Sequence, residues 1–135
     1  MDMPTDLKSF LEPVDLHPQR TRNYWAEKGK SLIDENYSWF NSVQQISDAL
    51  LISASHFRRE FFNEFGVSPK RYLMLVRVHH ACVLLKRSRL SINEIVREIG
   101  FRDRNILERS FKKLVGFSPS HYRLSFQVME IDAQK

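Results

Sequence analysis

The strongest constraint on the fold of this chain is an internal repeat. A motif of serine, two residues and then glutamine or glutamate occurs at 42–45 and again at 91–94, 49 positions later. Downstream of each motif, a matching series of residues recurs at an offset of 50. The first series is Phe57, Phe61, Gly66, Ser68, Pro69 and Tyr72, and the second is Leu107, Phe111, Gly116, Ser118, Pro119 and Tyr122. The repeat predicts two similar structural units, with one residue inserted in a turn.

Each repeat has the residue order of three successive helices. The Ser-x-x-Gln/Glu motif is a capping box, which satisfies the free backbone amides at a helix start. Serine followed by proline is typical of the start of another helix, and glycine is typical of the end of the helix before it. These signals predict helices at 43–50, 54–65 and 69–86, and again at 92–99, 104–115 and from 119 onward. The intervening turns are predicted at 51–53 and 100–103.

A further helix is predicted over about 21–36, although Gly29 costs it about 1 kcal/mol relative to alanine. No run of alternating apolar and polar residues predicts a strand. The predicted fold is therefore all-α, with seven helices forming two helix-turn-helix lobes joined by a long linker helix. The predicted segments are a partly disordered N-terminal lead-in at 1–21, a first lobe at 22–68, the linker helix at 69–87, a second lobe at 88–124 and a C-terminal tail at 125–135.

In a helix-turn-helix unit, the second helix packs one side on the first helix and presents its other side to the major groove. In helix 54–65, at about 100° per residue, the buried side carries Ala54, Phe57, Phe61 and Phe65, and the outward side carries Ser55, Arg58 and Arg59. In helix 104–115, the buried side carries Leu107, Phe111 and Leu114, and the outward side carries Asn105, Glu108, Arg109 and Lys112.

These outward side chains have base-reading chemistry. Arginine pairs bidentately with guanine, asparagine pairs with adenine, and glutamate accepts a hydrogen bond from cytosine. An ordinary solvated face is the better interpretation for one helix alone. The recurrence in both repeats, with Arg59 and Arg109 equivalent, favours binding to double-stranded DNA. The net charge of +5, from 21 basic and 16 acidic residues, agrees with a polyanionic partner but is weak evidence by itself.

The linker helix is predicted to set the spacing of the two lobes. About 18 residues at 1.5 Å each give about 27 Å, against about 34 Å between successive major-groove faces on one side of B-DNA. Bending of the DNA, at roughly 1–6 kcal/mol, would make up the difference. Because the lobes are in tandem and their outward residues differ, we expect an asymmetric site bound by one monomer.

Catalysis and metal binding are poorly supported by the sequence. His79 and His80 are adjacent and point about 100° apart, so they do not form the i, i+4 pair that shares a metal. For Cys82, a buried thiol is favoured over a redox sensor. The chain has no glycine-rich phosphate loop or nucleophile motif, so we expect no enzymatic activity and no cofactor. A single cysteine, no signal peptide and no apolar run of membrane length predict a cytoplasmic protein.

A helical adaptor that binds proteins and not DNA is the second functional hypothesis. It accounts for the amphipathic helices and for the charge. It does not account for two capped helix-turn-helix units with arginines at equivalent outward positions. Salt-dependent binding to duplex DNA separates the two hypotheses, because each neutralised phosphate releases counterions.

The segment Ile95–Arg123 resembles the signature of the AraC/XylS family of bacterial transcription regulators, and the resemblance extends over residues 22–124. The matching residues of the signature are Ile95, Gly100, Phe101, Arg109, Phe111, Lys112, Gly116, Ser118, Pro119, Tyr122 and Arg123. In the linker, Tyr72, Arg77, Ala81, Leu84 and Leu85 also fit. In length the chain is similar to the free-standing MarA/SoxS-type members. Either it is free-standing, or a sensing domain has been lost or removed.

This resemblance implies seven helices in two lobes, promoter binding in the bacterial nucleoid, and usually activation by contact with RNA polymerase. The base-reading positions that it implies are Ser55, Arg58 and Arg59 in the first lobe, and Arg104, Asn105, Glu108 and Arg109 in the second.

Five residues depart from the family pattern. Ser47 and Val96 stand where small alanines are usual, and Leu107 stands where an aromatic is usual. Phe62 replaces a commonly basic residue, and it either touches a thymine methyl or packs on the linker. Glu108 has the wrong charge for phosphate, so it either selects cytosine or lowers the affinity of the second lobe.

Overall fold

The computed structural model describes residues 23–133, with side chains for residues 23–127, and every regular element in that range is an α-helix. The helices are α1 (Tyr24–Asn36), α2 (Val43–Leu50), α3 (Ala54–Phe65), α4 (Pro69–Arg87), α5 (Ile92–Ile99), α6 (Arg104–Val115) and α7 (Pro119–Ala133). Over residues 23–133, the predicted all-α fold of seven helices is confirmed. The predicted lead-in at 1–21 lies outside the described residues. The last helix continues to Ala133, into the segment predicted as a tail.

The chain divides into two compact units, and the division falls between Leu73 and Met74, inside α4. The first unit contains α1 to α3 and the start of α4. The second unit contains the rest of α4 and α5 to α7. Each unit therefore has one complete pair of helices of the helix-turn-helix type, α2 with α3 and α5 with α6.

The two capping boxes predicted from the repeat form to different extents. At α5 the box is complete: Glu94 N donates to Ser91 Oγ (3.1 Å), and Ser91 N donates to the Glu94 carboxylate (3.2 Å). At α2, Gln45 N donates to Ser42 Oγ (3.3 Å), but the Gln45 side-chain oxygen accepts from Asn41 N (2.6 Å). In the first capping box, the Gln45 side chain therefore binds the backbone amide of Asn41, one residue before the N-cap, and not that of Ser42.

The second helix of each pair has a cap of its own. Ser53 Oγ accepts from His56 N (3.1 Å) at the start of α3, and the Asp103 carboxylate accepts from Ile106 N (2.9 Å) at the start of α6. Each cap satisfies one of the orphan amides of a helix N-terminus. These caps fix where the two predicted reading helices begin.

The turns between the paired helices open with a left-handed residue. Gly100 has φ 91° and Leu51, 49 positions earlier, has φ 60°. Glycine adopts this conformation without steric cost, whereas leucine is strained in it. The turn after Gly100 is one residue longer than the turn after Leu51, because α6 is capped by Asp103 and α3 by Ser53. The inserted residue of the repeat therefore lies in this turn.

In the first unit, α1 and α3 approach closely where Gly29 faces Phe57. A Cβ atom added to Gly29 would lie 2.2 Å from Phe57 Cε1, which no real structure tolerates. Phe57 is fully buried. The glycine that weakens α1 as a helix therefore makes room for the aromatic ring of α3. The rest of the fully buried apolar core of this unit is Ala26, Leu32, Ile33, Phe40, Ile46 and Phe61.

A polar cluster joins α1 to the first turns of α4. The Tyr72 hydroxyl donates to the Asp34 carboxylate, and Lys30 Nζ donates to the same carboxylate at 2.8 Å. Burial, and then the hydrogen bond to Asp34, raise the pKa of Tyr72. The phenol therefore stays protonated and keeps donating throughout the physiological range. The Tyr72 ring also packs near Phe61 of α3, with ring centroids 5.6 Å apart.

The second unit buries Ile95, Ile99, Leu107 and Phe111 completely. Arg123 of α7 donates to the carbonyl oxygens of Leu85 (3.1 Å), Ser88 (3.3 Å) and Leu84 (3.4 Å). The Leu84 carbonyl also accepts from Ser88 N (3.0 Å) and Ser88 Oγ (2.7 Å). The guanidinium therefore chiefly supplies donors to the Leu85 and Ser88 carbonyls, at the end of α4 where carbonyls lack partners within the helix.

Candidate nucleic-acid interface

Helix α3 has the two faces predicted for a reading helix. Phe57 and Phe61 are fully buried, while Ser55, Arg58 and Arg59 are exposed. These three side chains therefore lie on the exposed side of α3, as predicted. Among the residues that the structure describes, neither arginine forms a salt bridge. Both guanidinium groups are free to engage a ligand.

Helix α6 is arranged in the same way. Leu107 and Phe111 are fully buried, and Leu114, which was predicted on the buried side, is half-buried. The exposed residues of the predicted reading face are Arg104, Asn105, Arg109 and Lys112. Leu107 fills its core position although it is not the aromatic usual in the family. Arg59 and Arg109 are exposed at equivalent points of α3 and α6.

Glu108, the remaining predicted reading residue of α6, has intermediate exposure. Its carboxylate Oε1 accepts a hydrogen bond from Arg104 Nε at 2.9 Å, and the two form an i, i+4 salt bridge. The side chains of Arg104 and Glu108 are 46% and 40% exposed. The negative charge of Glu108 is therefore compensated within its own helix.

Phe62 lies on the outer side of α3 and is 57% exposed. More than half of the residue's surface is open to solvent, so Phe62 adds little to the buried core of the first unit. The position equivalent to it in α6 is Lys112, which is exposed. Contact of Phe62 with a thymine methyl stays a prediction.

A shallow groove of ≈ 230 Å³ runs along α6. It is lined by Ile106, Arg109, Ser110 and Lys113. The exposed surface of this groove is mostly apolar, although Arg109, Ser110 and Lys113 contribute polar groups to its lining. The sequence interpretation missed Ser110 and Lys113, although the i, i+3, i+4, i+7 spacing from Ile106 places all four residues on one stripe of the helix.

The histidines and the cysteine of α4 have a geometry unlike that of a catalytic site. The rings of His79 and His80 contact each other edge to face, 5.6 Å between centroids. Cys82, predicted as a buried thiol, is half-buried. Burial raises the pKa of its thiol, and the nearby Tyr122 hydroxyl only partly offsets the increase. A raised pKa disfavours the reactive thiolate. Within residues 23–133, no three His, Cys, Asp or Glu side chains cluster as metal ligands, and no helix is both long and apolar enough to span a bilayer.

Comparisons with known proteins agree with this geometry. A family model described as a helix-turn-helix domain matches residues 46–125. The lactose operon transcription activator of Staphylococcus xylosus is 32% identical over 96 residues, which make up 71% of this chain and 34% of that protein. This chain thus spans about a third of the length of that relative.

Two solved structures extend the likeness to three dimensions. The C-terminal domain of AraT, a response regulator from Geobacillus stearothermophilus, superposes with a TM-score of 0.72 at 25% identity, covering 83% of this chain and 88% of that one. The DNA-binding domain of the global transcriptional factor AdpA, solved in complex with a target DNA, gives a TM-score of 0.70 at 28% identity, with coverages of 78% and 94%.

Proposed function

Because the chain belongs to the AraC/XylS family of helix-turn-helix transcription regulators, we propose that it binds promoter DNA sequence-specifically and activates transcription. The activator role is supported by the similarity to the lactose operon transcription activator. In this role the chain makes contact with RNA polymerase, acts in the cytoplasm at the nucleoid, and needs neither catalysis nor a cofactor.

One observation carries the proposal. Two capped helix-turn-helix pairs occur in one chain, and each presents an arginine at the same point of the outer face of its second helix, Arg59 on α3 and Arg109 on α6. Solvated arginines are common on any helix, but the repetition of the whole arrangement supports a repeated task. Reading base edges in the major groove is the task for which this helix and these side chains are suited.

The DNA-binding face that we propose consists of Ser55, Arg58, Arg59, Arg104, Asn105, Glu108, Arg109 and Lys112. To it we add two further contacts. The exposed ring of Phe62 is suited to a thymine methyl, and the exposed Lys113, beside Arg109 on α6, is suited to a backbone phosphate. Phosphate contacts fix the position of a protein on the duplex, while base contacts give sequence preference.

We propose that one monomer binds an asymmetric site across two successive major grooves. The outer residues of α3 and α6 differ, which supports two unlike half-sites. Helix α4 is continuous for 19 residues, and the spacing of the two lobes by about one helical turn of DNA, about 34 Å, stays a prediction from the sequence.

Binding to duplex DNA as a function of salt is the primary test. The full chain is titrated with a random duplex and with a duplex selected from a random pool. A regulator gives a logarithmic salt slope of about −0.9 for each phosphate neutralised, and it prefers the selected site. Failure to bind any duplex at low salt would support the adaptor hypothesis and overturn the proposal.

A matched set of arginine variants tests the reading roles. Arg59→Ala and Arg109→Ala are each expected to cost about 1–3 kcal/mol and to relax the preference at one base pair. Arg97→Ala removes an exposed arginine of α5 and should change no base preference. Equal weakening on all sequences by Arg59→Ala or Arg109→Ala would identify phosphate contacts and contradict the proposed role.

A further inference from the structure

The reading faces of α3 and α6 have different charge arrangements. At the offset of 50, Ala54 and Arg58 of α3 correspond to Arg104 and Glu108 of α6. Arg104 and Glu108 form an i, i+4 salt bridge of 2.9 Å, whereas alanine at the first position prevents such a pair in α3. The first helix therefore presents an arginine whose charge is uncompensated, and the second presents one that is held by a neighbouring carboxylate.

We propose that Glu108 is a positioning residue that aims Arg104 at a base edge and does not itself read a base. This inference rests on the function proposed above, since it assigns a specificity device to the same reading helix. The carboxylate engages Nε of Arg104. The two terminal nitrogens of the guanidinium are left for an end-on bidentate pair with the O6 and N7 atoms of guanine.

Two physical effects make such an arrangement selective. An exposed arginine loses rotamer freedom when it binds, and a side chain held in advance by a neighbour loses less of it. The compensating carboxylate also weakens the attraction of Arg104 to phosphates, which are present at every sequence. Glu108 therefore lowers the binding of α6 to random DNA and favours the sequence that offers guanine.

The two earlier interpretations of Glu108 predict different outcomes. If Glu108 reads cytosine directly, its removal changes the preference at a base pair other than that of Arg104. If Glu108 only repels phosphate, its removal strengthens binding to all sequences equally. A positioning residue instead loses its effect once Arg104 is absent, because it acts through that side chain.

The test is a double-mutant cycle on the full chain. Wild type, Arg104→Ala, Glu108→Ala and the double variant are titrated with the selected duplex and with every single base-pair substitution of it. We expect Arg104→Ala to lose about 5- to 150-fold of discrimination at one base pair. Glu108→Ala should lose part of that factor at the same base pair, and the double variant should match Arg104→Ala. Effects at two different base pairs, or additive effects, would overturn the proposal.

Two further variants test whether the effect is specific to the hydrogen bond between Glu108 and Arg104. Glu108→Gln keeps a side-chain oxygen that accepts from Arg104 Nε, so it should retain more discrimination than Glu108→Ala. Lys30→Ala removes the comparable i, i+4 pair of α1, with 41% and 38% exposed side chains, and it should leave discrimination unchanged. Glutamine behaving like alanine at this position would also contradict the positioning role.

Failure of this inference can be told apart from failure of the proposed function. If wild type binds no duplex at low salt, the regulatory function is refuted. If wild type selects a site but Glu108→Ala keeps full discrimination at the base pair of Arg104, only the positioning role is refuted. Melting curves for all variants establish that each one is folded.

Discussion

Replacing Leu51 with glycine should stabilise the first unit. Leu51 has φ 60° and ψ 37° at the C-cap of α2, and its residue surface is 86% exposed. A left-handed conformation costs an L-residue about 1–2 kcal/mol, while glycine loses about 0.4–1 kcal/mol more conformational entropy than alanine on folding. Because little apolar surface is lost, the net gain is about 0.5–1 kcal/mol.

The position of the tryptophans makes this change measurable in the first unit. Trp25 and Trp39 are the two tryptophans of the chain, and both precede the division at Leu73. Selective excitation of tryptophan therefore reports the unfolding of this unit in denaturant. The melting temperature should rise by about 2–8 °C.

Two variants serve as controls for Leu51→Gly. Leu51→Ala removes the exposed side chain but keeps a Cβ in the left-handed conformation, so it should give no gain. Gly100→Ala introduces the same strain at φ 91° in the second unit, and circular dichroism should show a loss of about 1 kcal/mol. The argument from backbone strain is refuted if Leu51→Gly leaves the denaturation midpoint unchanged or lowers it.

Three other predictions follow from the contacts described above. Gly29→Ala places a methyl group against the Phe57 ring, and tryptophan-monitored unfolding should show a loss of at least about 1–3 kcal/mol from overpacking; an unchanged midpoint would contradict the close approach of α1 and α3. Phe62→Ala should leave the melting temperature unchanged but weaken binding at one thymine position, whereas a loss of stability would indicate packing on the linker. Alkylation of Cys82 should begin at a higher pH than in the unfolded chain, because burial raises its pKa; Tyr122→Phe should shift the onset higher still, and an onset at or below that of the unfolded chain would refute this account.

Helix positions were predictable from the sequence because their signals are local. The serines before α2 and α5, and the glycines after α3, α5 and α6, act within one or two turns of backbone. The alternation of aromatic and polar residues along α3 likewise fixed which side is buried. Such features need only the spacing of neighbouring residues, so the predicted bounds of α2, α3, α5 and α6 coincide with the observed ones.

Some features were not predicted from the sequence. They depend on a contact with a residue distant in the chain, on which of several partners a side chain binds, or on a backbone conformation that the residue type does not indicate. Gly29 was interpreted as a weakness of α1, since the Phe57 ring that requires it belongs to another helix. Glu108 was interpreted only by the bases or phosphates that it could face. Arg104, four residues earlier on the same helix, was the sequence signal for the salt bridge that Glu108 forms. The left-handed backbone of Leu51 has no signal in its own residue type, and only the alignment with Gly100 points to it.

The hydrogen bonds of Arg123 limit how this chain can be shortened or joined to another protein. The guanidinium holds three carbonyl oxygens at the end of α4, although it lies 35 or more positions further along the chain. Cleavage or a fusion point upstream of Arg123 would remove those donors and leave the carbonyls of Leu85 and Ser88 to water, while Ser88 would still donate to Leu84. An attachment point beyond α7 preserves them, so protein engineering at this end of the molecule should leave Arg123 and the turns around it intact.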